Sequence, residues 1–196
     1  MSSYTIPHVI SRDFRGERVL DVYSSLLSER IIYLGTAIDA GVANTVIAQL
    51  LHLEADDAEA PVSLYINCEG GDPSAMLAIY DTMQYIKAPV ATTCVGQAFA
   101  AGALLLAGGA ASHRAMLPHT RVVLHQPAMS SGRAAVPDLI LQADELVRVR
   151  SETEQVLSRH TGQPVEVLRR DTERDRIFTA EAAREYGLVD EVLVSR

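Results

Sequence analysis

The stretch Leu64-Tyr65-Ile66-Asn67-Cys68-Glu69-Gly70-Gly71-Asp72 decides the fold. Its opening residues are apolar and β-prone and read as a strand; the glycine pair ends it, and a helix is predicted from Ser74 to about Ile86. The same unit recurs on both sides. Upstream, Ile31 to Leu34 reads as a strand followed by an amphipathic helix from about Val42 to Ala55. Downstream, Val90 to Val95 leads into an Ala/Leu-rich helix from about Ala98 to Ala107. Strands alternating with helices imply an α/β fold with a largely parallel sheet. Right-handed crossovers then bring the strand C-termini to one edge, where loops and helix N-termini converge.

Elsewhere the pattern is less regular. The first twenty residues mix Pro7, Gly16 and charges without periodicity and read as an irregular N-terminal arm, after which Asp21 is a good cap for a short helix ending near Arg30. Arg121 to His125 is a further strand. Beyond Pro137 a helical pattern runs for about 24 residues to Gly162, or about 36 Å. Its first half carries a stripe at Leu139, Ala143, Leu146, Val147 and Arg150, and Ser151 to Gln155 is polar before Val156-Leu157. One end is expected to dock on the core while the other projects. A helix from Pro164, another from Thr179 stopped by Gly187, and a strand from Leu188 to Leu193 complete a single domain over residues 1–196.

Composition narrows the class. Of 196 residues 48% are hydrophobic but only 5% aromatic, and Trp is absent, so the core must be aliphatic. A formal charge of −8 opposes a general nucleic-acid binder, which needs a basic face. Cys68 and Cys94 lie in strand-like runs without metal-ligand spacing and read as buried, reduced thiols. No apolar leader precedes Arg18, and the longest apolar run, Ala98 to Ala111, is too short to span a bilayer. The expectation is a cytoplasmic protein without metal or cofactor.

Three clusters fall at element junctions. In Glu69-Gly70-Gly71-Asp72 the glycines permit positive φ and leave backbone N–H groups bare. The flanking acids oppose a resident phosphate, so a transient oxyanion is the better guest. Gly96-Gln97-Ala98-Phe99-Ala100-Ala101-Gly102 has the topology of a nucleophile elbow with no reactive side chain to present, and by itself it also reads as close helix packing. His125 ends an apolar strand; a general base there needs an orienting carboxylate, and Asp171, Glu173 and Asp175 all offer one. Spacing does not choose among the three.

Taken together and in order, these words resemble the Clp serine peptidase (ClpP) family from about Tyr4 to Val194. The resemblance rests on Arg15-Gly16-Glu17-Arg18, Ser28-Glu29-Arg30-Ile31-Ile32-Tyr33-Leu34-Gly35, Ile79-Tyr80-Asp81-Thr82-Met83-Gln84, Leu124-His125-Gln126-Pro127, His160-Thr161-Gly162-Gln163 and Asp171-Thr172-Glu173-Arg174-Asp175-Arg176. It implies the crotonase-like ClpP fold of βαβ units, with residues 137–162 as a projecting handle helix and residues 1–20 as an axial arm. It also implies seven-membered rings, homomeric or mixed, stacked as a tetradecamer around a chamber where unfolded polypeptide is cut. AAA+ Clp unfoldases feed that chamber, and neither nucleic acid nor membrane is a partner. The family's nucleophilic serine falls on Ala100, the base on His125 and the orienting aspartate on Asp175. The oxyanion hole falls on the N–H groups of Gly71 and Ala101, and the unfoldase-docking pocket on Ser63, Tyr65 and Tyr85.

Two departures stand out. Ala100 has no hydroxyl, so acyl transfer by the serine route is closed to the chain as written. Either it is an engineered replacement in an active peptidase, which the intact His125 and Asp175 favour, or the subunit is a naturally silent member of a mixed ring. Where the family has Asn-Ser-Pro-Gly-Gly this chain has Asn67-Cys68-Glu69-Gly70-Gly71, and residues 128–136 depart from the usual Gly/Gln-rich strand. An acyl-CoA enzyme of the wider crotonase superfamily is the remaining reading, disfavoured by the Clp-specific words.

Overall fold

The computed structural model describes residues 5–13, 16–127 and 135–195. Strands β1 (His8–Asp13) and β2 (Gly16–Asp21) form an antiparallel hairpin, where the sequence suggested an irregular arm. The positive φ of Gly16, 126°, starts the returning strand. The hairpin pairs only with itself, and Val9, Ile10 and Val19 stay exposed. No apolar face was buried to impose a pattern on its sequence. Helix α1 (Val22–Ser28) follows, capped as expected by Asp21, whose carboxylate accepts from the N–H groups of Tyr23 and Ser24.

Next come β3 (Ile31–Leu34), α2 (Ala40–Asp56), β4 (Val62–Cys68), α3 (Pro73–Tyr85), β5 (Val90–Phe99) and α4 (Ala101–Ala107). Then follow β6 (Arg114–Met116), β7 (Arg121–Leu124), α5 (Val136–Thr161), α6 (Val165–Asp171), β8 (Arg176–Phe178), α7 (Ala180–Tyr186) and β9 (Glu191–Val192). The sheet runs β3-β4-β5-β6-β9 in parallel, with β7 parallel to the end of β5 and β8 antiparallel to β7. Helix capping is local: Asp39, Asp72 and Thr179 accept from backbone N–H groups of the helices they open, and Gly162 and Gly187 close helices in the left-handed conformation.

The core is aliphatic. Leu64, Ile66, Ile79, Leu104, Leu105 and Leu106 are fully buried, and Cys68 and Cys94 are buried free thiols. No described helix is long and apolar enough to cross a membrane.

Several boundaries differ from the sequence reading. β5 continues four residues past Val95, so α4 starts at Ala101 rather than Ala98. The last strand is confined to Glu191–Val192. In α5 the predicted stripe does not face the core: Leu139 and Val147 are exposed, and the buried residues are Val149, Glu154 and Leu157. The C-terminal half of the helix docks. A carboxylate satisfied by two arginines replaced an apolar side chain there, which blurred the periodicity. Residues 128–134 of the divergent segment lie outside the described residues.

The docked end of α5 is held by a polar contact. The Tyr80 hydroxyl lies 2.8 Å from His160 Nε2, and Arg114 donates to the His160 carbonyl. Burial, then the nearby Arg114 and Arg159 cations, hold the His160 pKa below its ordinary value. The unfolded chain therefore binds a proton there more readily than the folded one, and stability is lost as pH falls below about 6.5. Urea unfolding midpoints should drop between pH 7.5 and 5.5, and His160→Gln should make that drop shallower; an unchanged slope would remove His160 from the account.

Candidate active site

Three strand ends meet at one edge of the sheet. β4 delivers Gly70 and Gly71, β5 delivers Ala100, and β7 delivers His125. The registers that align them are Cys68 opposite Ala98 and Phe99 opposite Val123. A cleft of about 190 Å³ opens between them, lined by Glu69, Gly70, Gly71, Phe99, Ala100, Ala101, His125 and Gln126, with Met76, Thr153 and Leu157 from α3 and α5 behind.

Ala100 sits at the turn from β5 into α4 with φ 43° and ψ −96°. A side-chain-bearing residue is strained there by about 1–3 kcal/mol, and such strain gathers at functional positions. The conformation is held from both sides: Ala100 N–H donates to the Val123 carbonyl at 2.8 Å, and the Ala100 carbonyl accepts from Leu104 at 3.1 Å. The backbone is that of a nucleophile elbow. At its tip it presents a methyl group and no reactive atom.

Two amides face no competing acceptor among the described residues. Ala101 is the first residue of α4, whose N–H has no carbonyl one turn earlier. At Gly71, Ile38 bridges past it: Ile38 N–H donates to the Gly70 carbonyl, and Asp72 N–H donates to the Ile38 carbonyl. The Gly71 N–H is left over. Gly71 has φ 144°, and a Cβ there would lie 2.2 Å from the Ile38 oxygen. Only glycine fits.

Of the three carboxylates that spacing left open, β8 brings Asp175 beside the histidine. Leu124 pairs with Arg176, so His125 and Asp175, one step further along each strand, lie side by side. His125 Nδ1 is 2.8 Å from Asp175 Oδ1. The distance is that of an ion pair, but the oxygen lies off the ring N–H direction, so Nδ1 lacks a well-aligned hydrogen bond. Catalytic pairs commonly tighten only when substrate arrives. Asp171 is committed elsewhere: it accepts from the Tyr186 hydroxyl and pairs with Arg170 and Arg176. Gln126 N–H donates to the Thr172 carbonyl, fixing the segment between base and acid. Arg176-Ile177-Phe178, apolar at its last two positions, was the sequence signal for β8, and it was too short to notice.

Cys68 is the one thiol near the elbow. It is fully buried, packed against Gly102, and burial pushes its pKa up. A protonated, inaccessible thiol cannot replace the absent hydroxyl.

Residues 14–196 match the family model described as Clp protease. The chain belongs to the Clp protease family. Over its whole length it is 67% identical to ATP-dependent Clp protease proteolytic subunit 1 of Nocardia farcinica, all of which is covered. It is 59% identical to proteolytic subunit 4 of Rhodococcus jostii, also fully covered, and 55% identical to proteolytic subunit 2 of Streptomyces avermitilis, of which 98% is covered. The family's enzymes are serine-type endopeptidases, and the observed α/β fold is theirs.

If the elbow is strained, glycine should relax it. Ala100→Gly is expected to stabilise the protein by about 1 kcal/mol in urea unfolding, where an alanine-to-glycine change usually costs about as much. A loss of stability would show that the turn carries no strain.

Proposed function

We propose that this chain is the proteolytic subunit of an ATP-dependent Clp protease in which the peptidase machinery is complete except for the hydroxyl at position 100. The observation that carries this reading is the elbow backbone at Ala100, set beside the His125–Asp175 pair. With serine at 100, His125 takes the hydroxyl proton as the oxygen attacks the peptide carbonyl, and Asp175 holds the imidazolium. The Gly71 and Ala101 N–H groups stabilise the tetrahedral oxyanion; His125 then passes its proton to the leaving amine, and water releases the acyl group. No cofactor enters these steps.

Seven-membered rings stacked as a tetradecamer are the assembly we assign to it, in the cytoplasm, with an AAA+ unfoldase supplying unfolded polypeptide. The exposed Val136, Ile140, Leu141 and Val147 of α5 support this, being apolar surface that a second ring would cover. Rings mixed with an active paralogue are a second reading, favoured by Glu69: a carboxylate beside the oxyanion site opposes the charge that must develop there.

Ala100→Ser tests the first reading. The chain as written should neither hydrolyse a fluorogenic peptide nor react with a serine-directed phosphonate, and the serine variant, in assembled rings with any partner subunit supplied, should do both. Stoichiometric phosphonate labelling of the Ala100 protein would place the nucleophile elsewhere.

Docking of the unfoldase is proposed at Ser63, Tyr65 and Tyr85. Ser63 and Tyr65 share the half-exposed face of β4, and Tyr85 is 82% exposed at the end of α3. Serine in place of a large apolar side chain removes about 1–3 kcal/mol of contact per site, repeated over a multivalent partner. Homomeric rings should therefore bind unfoldase weakly by interferometry, and Ser63→Tyr should tighten them. Tight binding by unaltered rings, with no gain from the substitution, would remove the pocket.

A further inference from the structure

Glu69 is the one carboxylate among the described residues lining the cleft, and it stands between the buried Cys68 and Gly70. It is exposed, and among the described residues it makes no ion pair or hydrogen bond. Every other lining residue is neutral except His125, which is engaged by Asp175. In the adjoining groove Arg150 is paired with the buried carboxylate of Glu154. No described cation in either place is therefore available to neutralise Glu69. The second feature is Phe99. Its ring lines the same cleft, tilted 37° to the His125 ring at 6.3 Å, and a Cβ on Gly70 would lie 3.4 Å from it. An unpaired carboxylate and an aromatic ring lining one small cleft are two groups that favour a cation carried on an apolar stem.

We infer that Glu69 is a specificity-determining residue, and that the cleft selects polypeptide segments with a lysine or arginine beside the peptide bond presented at Ala100. The inference rests on the cleft's being a polypeptide site, as proposed above. The side chain's methylenes lie along Phe99 and its charge meets Glu69. An acidic residue at that place is repelled, because no described residue of the cleft offsets two like charges.

Lacking the nucleophile, the chain as it stands is suited to the measurement, since bound peptide is not consumed. Fluorescein-labelled decapeptides of Ser and Ala, carrying Lys, norleucine or Glu at each of the four central positions in turn, are titrated by anisotropy with the assembled protein and its Glu69→Gln variant. At low salt the best Lys peptide should bind about five- to tenfold tighter than its norleucine counterpart, with the Glu peptide weakest. The ratio should fall toward one in Glu69→Gln and shrink at 0.3 M salt. A Lys preference that survives Glu69→Gln, or equal binding of Lys and norleucine peptides to the unaltered protein, overturns the assignment of Glu69 while leaving the polypeptide cleft standing. No binding of any peptide overturns the polypeptide site itself, and the inference with it.

Discussion

The hydrogen bonding of β5 is the constraint from which the rest of the structure follows. Its ten residues pair with β4 on one side, and on the other first with β6 and then with β7. That division places the ends of β4, β5 and β7 next to one another, and the ends carry the glycine pair, the elbow and the histidine. The ladder with β4 is irregular: Ile66 pairs with Cys94 but Cys68 with Ala98, so β5 carries two extra residues there. Asn67 fills the gap, its side-chain oxygen accepting from Gln97 N–H at 3.2 Å, and a Cβ on Gly96 would lie 2.3 Å from that oxygen. Such irregularities re-aim a strand end, and here the strand runs on to the elbow.

Holding Ala100 in an unfavourable conformation needs compensation nearby. Elbow strain of about 1–3 kcal/mol compares with about 1.5–3 kcal/mol for each fully buried leucine. Helix α4, which begins at the elbow, buries Leu104, Leu105 and Leu106 completely. The helix cannot slide to relax the turn without exposing one of them. Packing of α4 thus outweighs the strain, and it does so whether position 100 is serine or alanine. This explains how the turn keeps its conformation with only a methyl group at position 100.

Legibility followed burial. Strands β3 to β5 and helices α2 and α3 were readable because each sets a continuous apolar face against one core, and Asp21, Gly162 and Gly187 marked ends of α1, α5 and α7 by local backbone chemistry. β6 and β8 were missed because three residues carry no period. The hairpin was missed because its described apolar residues Val9, Ile10 and Val19 are exposed. At the site, Ala100 and His125 were legible from neighbouring words, whereas the partnership of His125 with Asp175 depended on β8, a contact fifty residues distant in sequence. The resemblance supplied it; periodicity did not. The Glu154 network was invisible for a related reason: a carboxylate buried between Arg150 and Arg169 looks, in sequence, like any solvated helix face.

Loss of one oxygen separates binding from chemistry in such a site. Oxyanion donors and binding contacts that outlive a missing triad member still accelerate hydrolysis by about 10³–10⁴ over water, against enhancements of about 10⁶ and upward for complete enzymes. Peptide bonds are too stable for that remainder to matter during a polypeptide's stay in a cleft. On the reading proposed above, Phe99 and Glu69 act on the bound ground state, whereas the two free amides act on the oxyanion. On that reading Glu69 works in opposite directions on the two states: it favours a cationic neighbour in the bound polypeptide and disfavours the oxyanion of the transition state. A peptidase selected for rate gains from losing that charge, whereas a subunit that only grips polypeptide gains from keeping it. On the proposed reading, Glu69 and Ala100 shift the site in the same direction, toward retention of substrate and away from turnover.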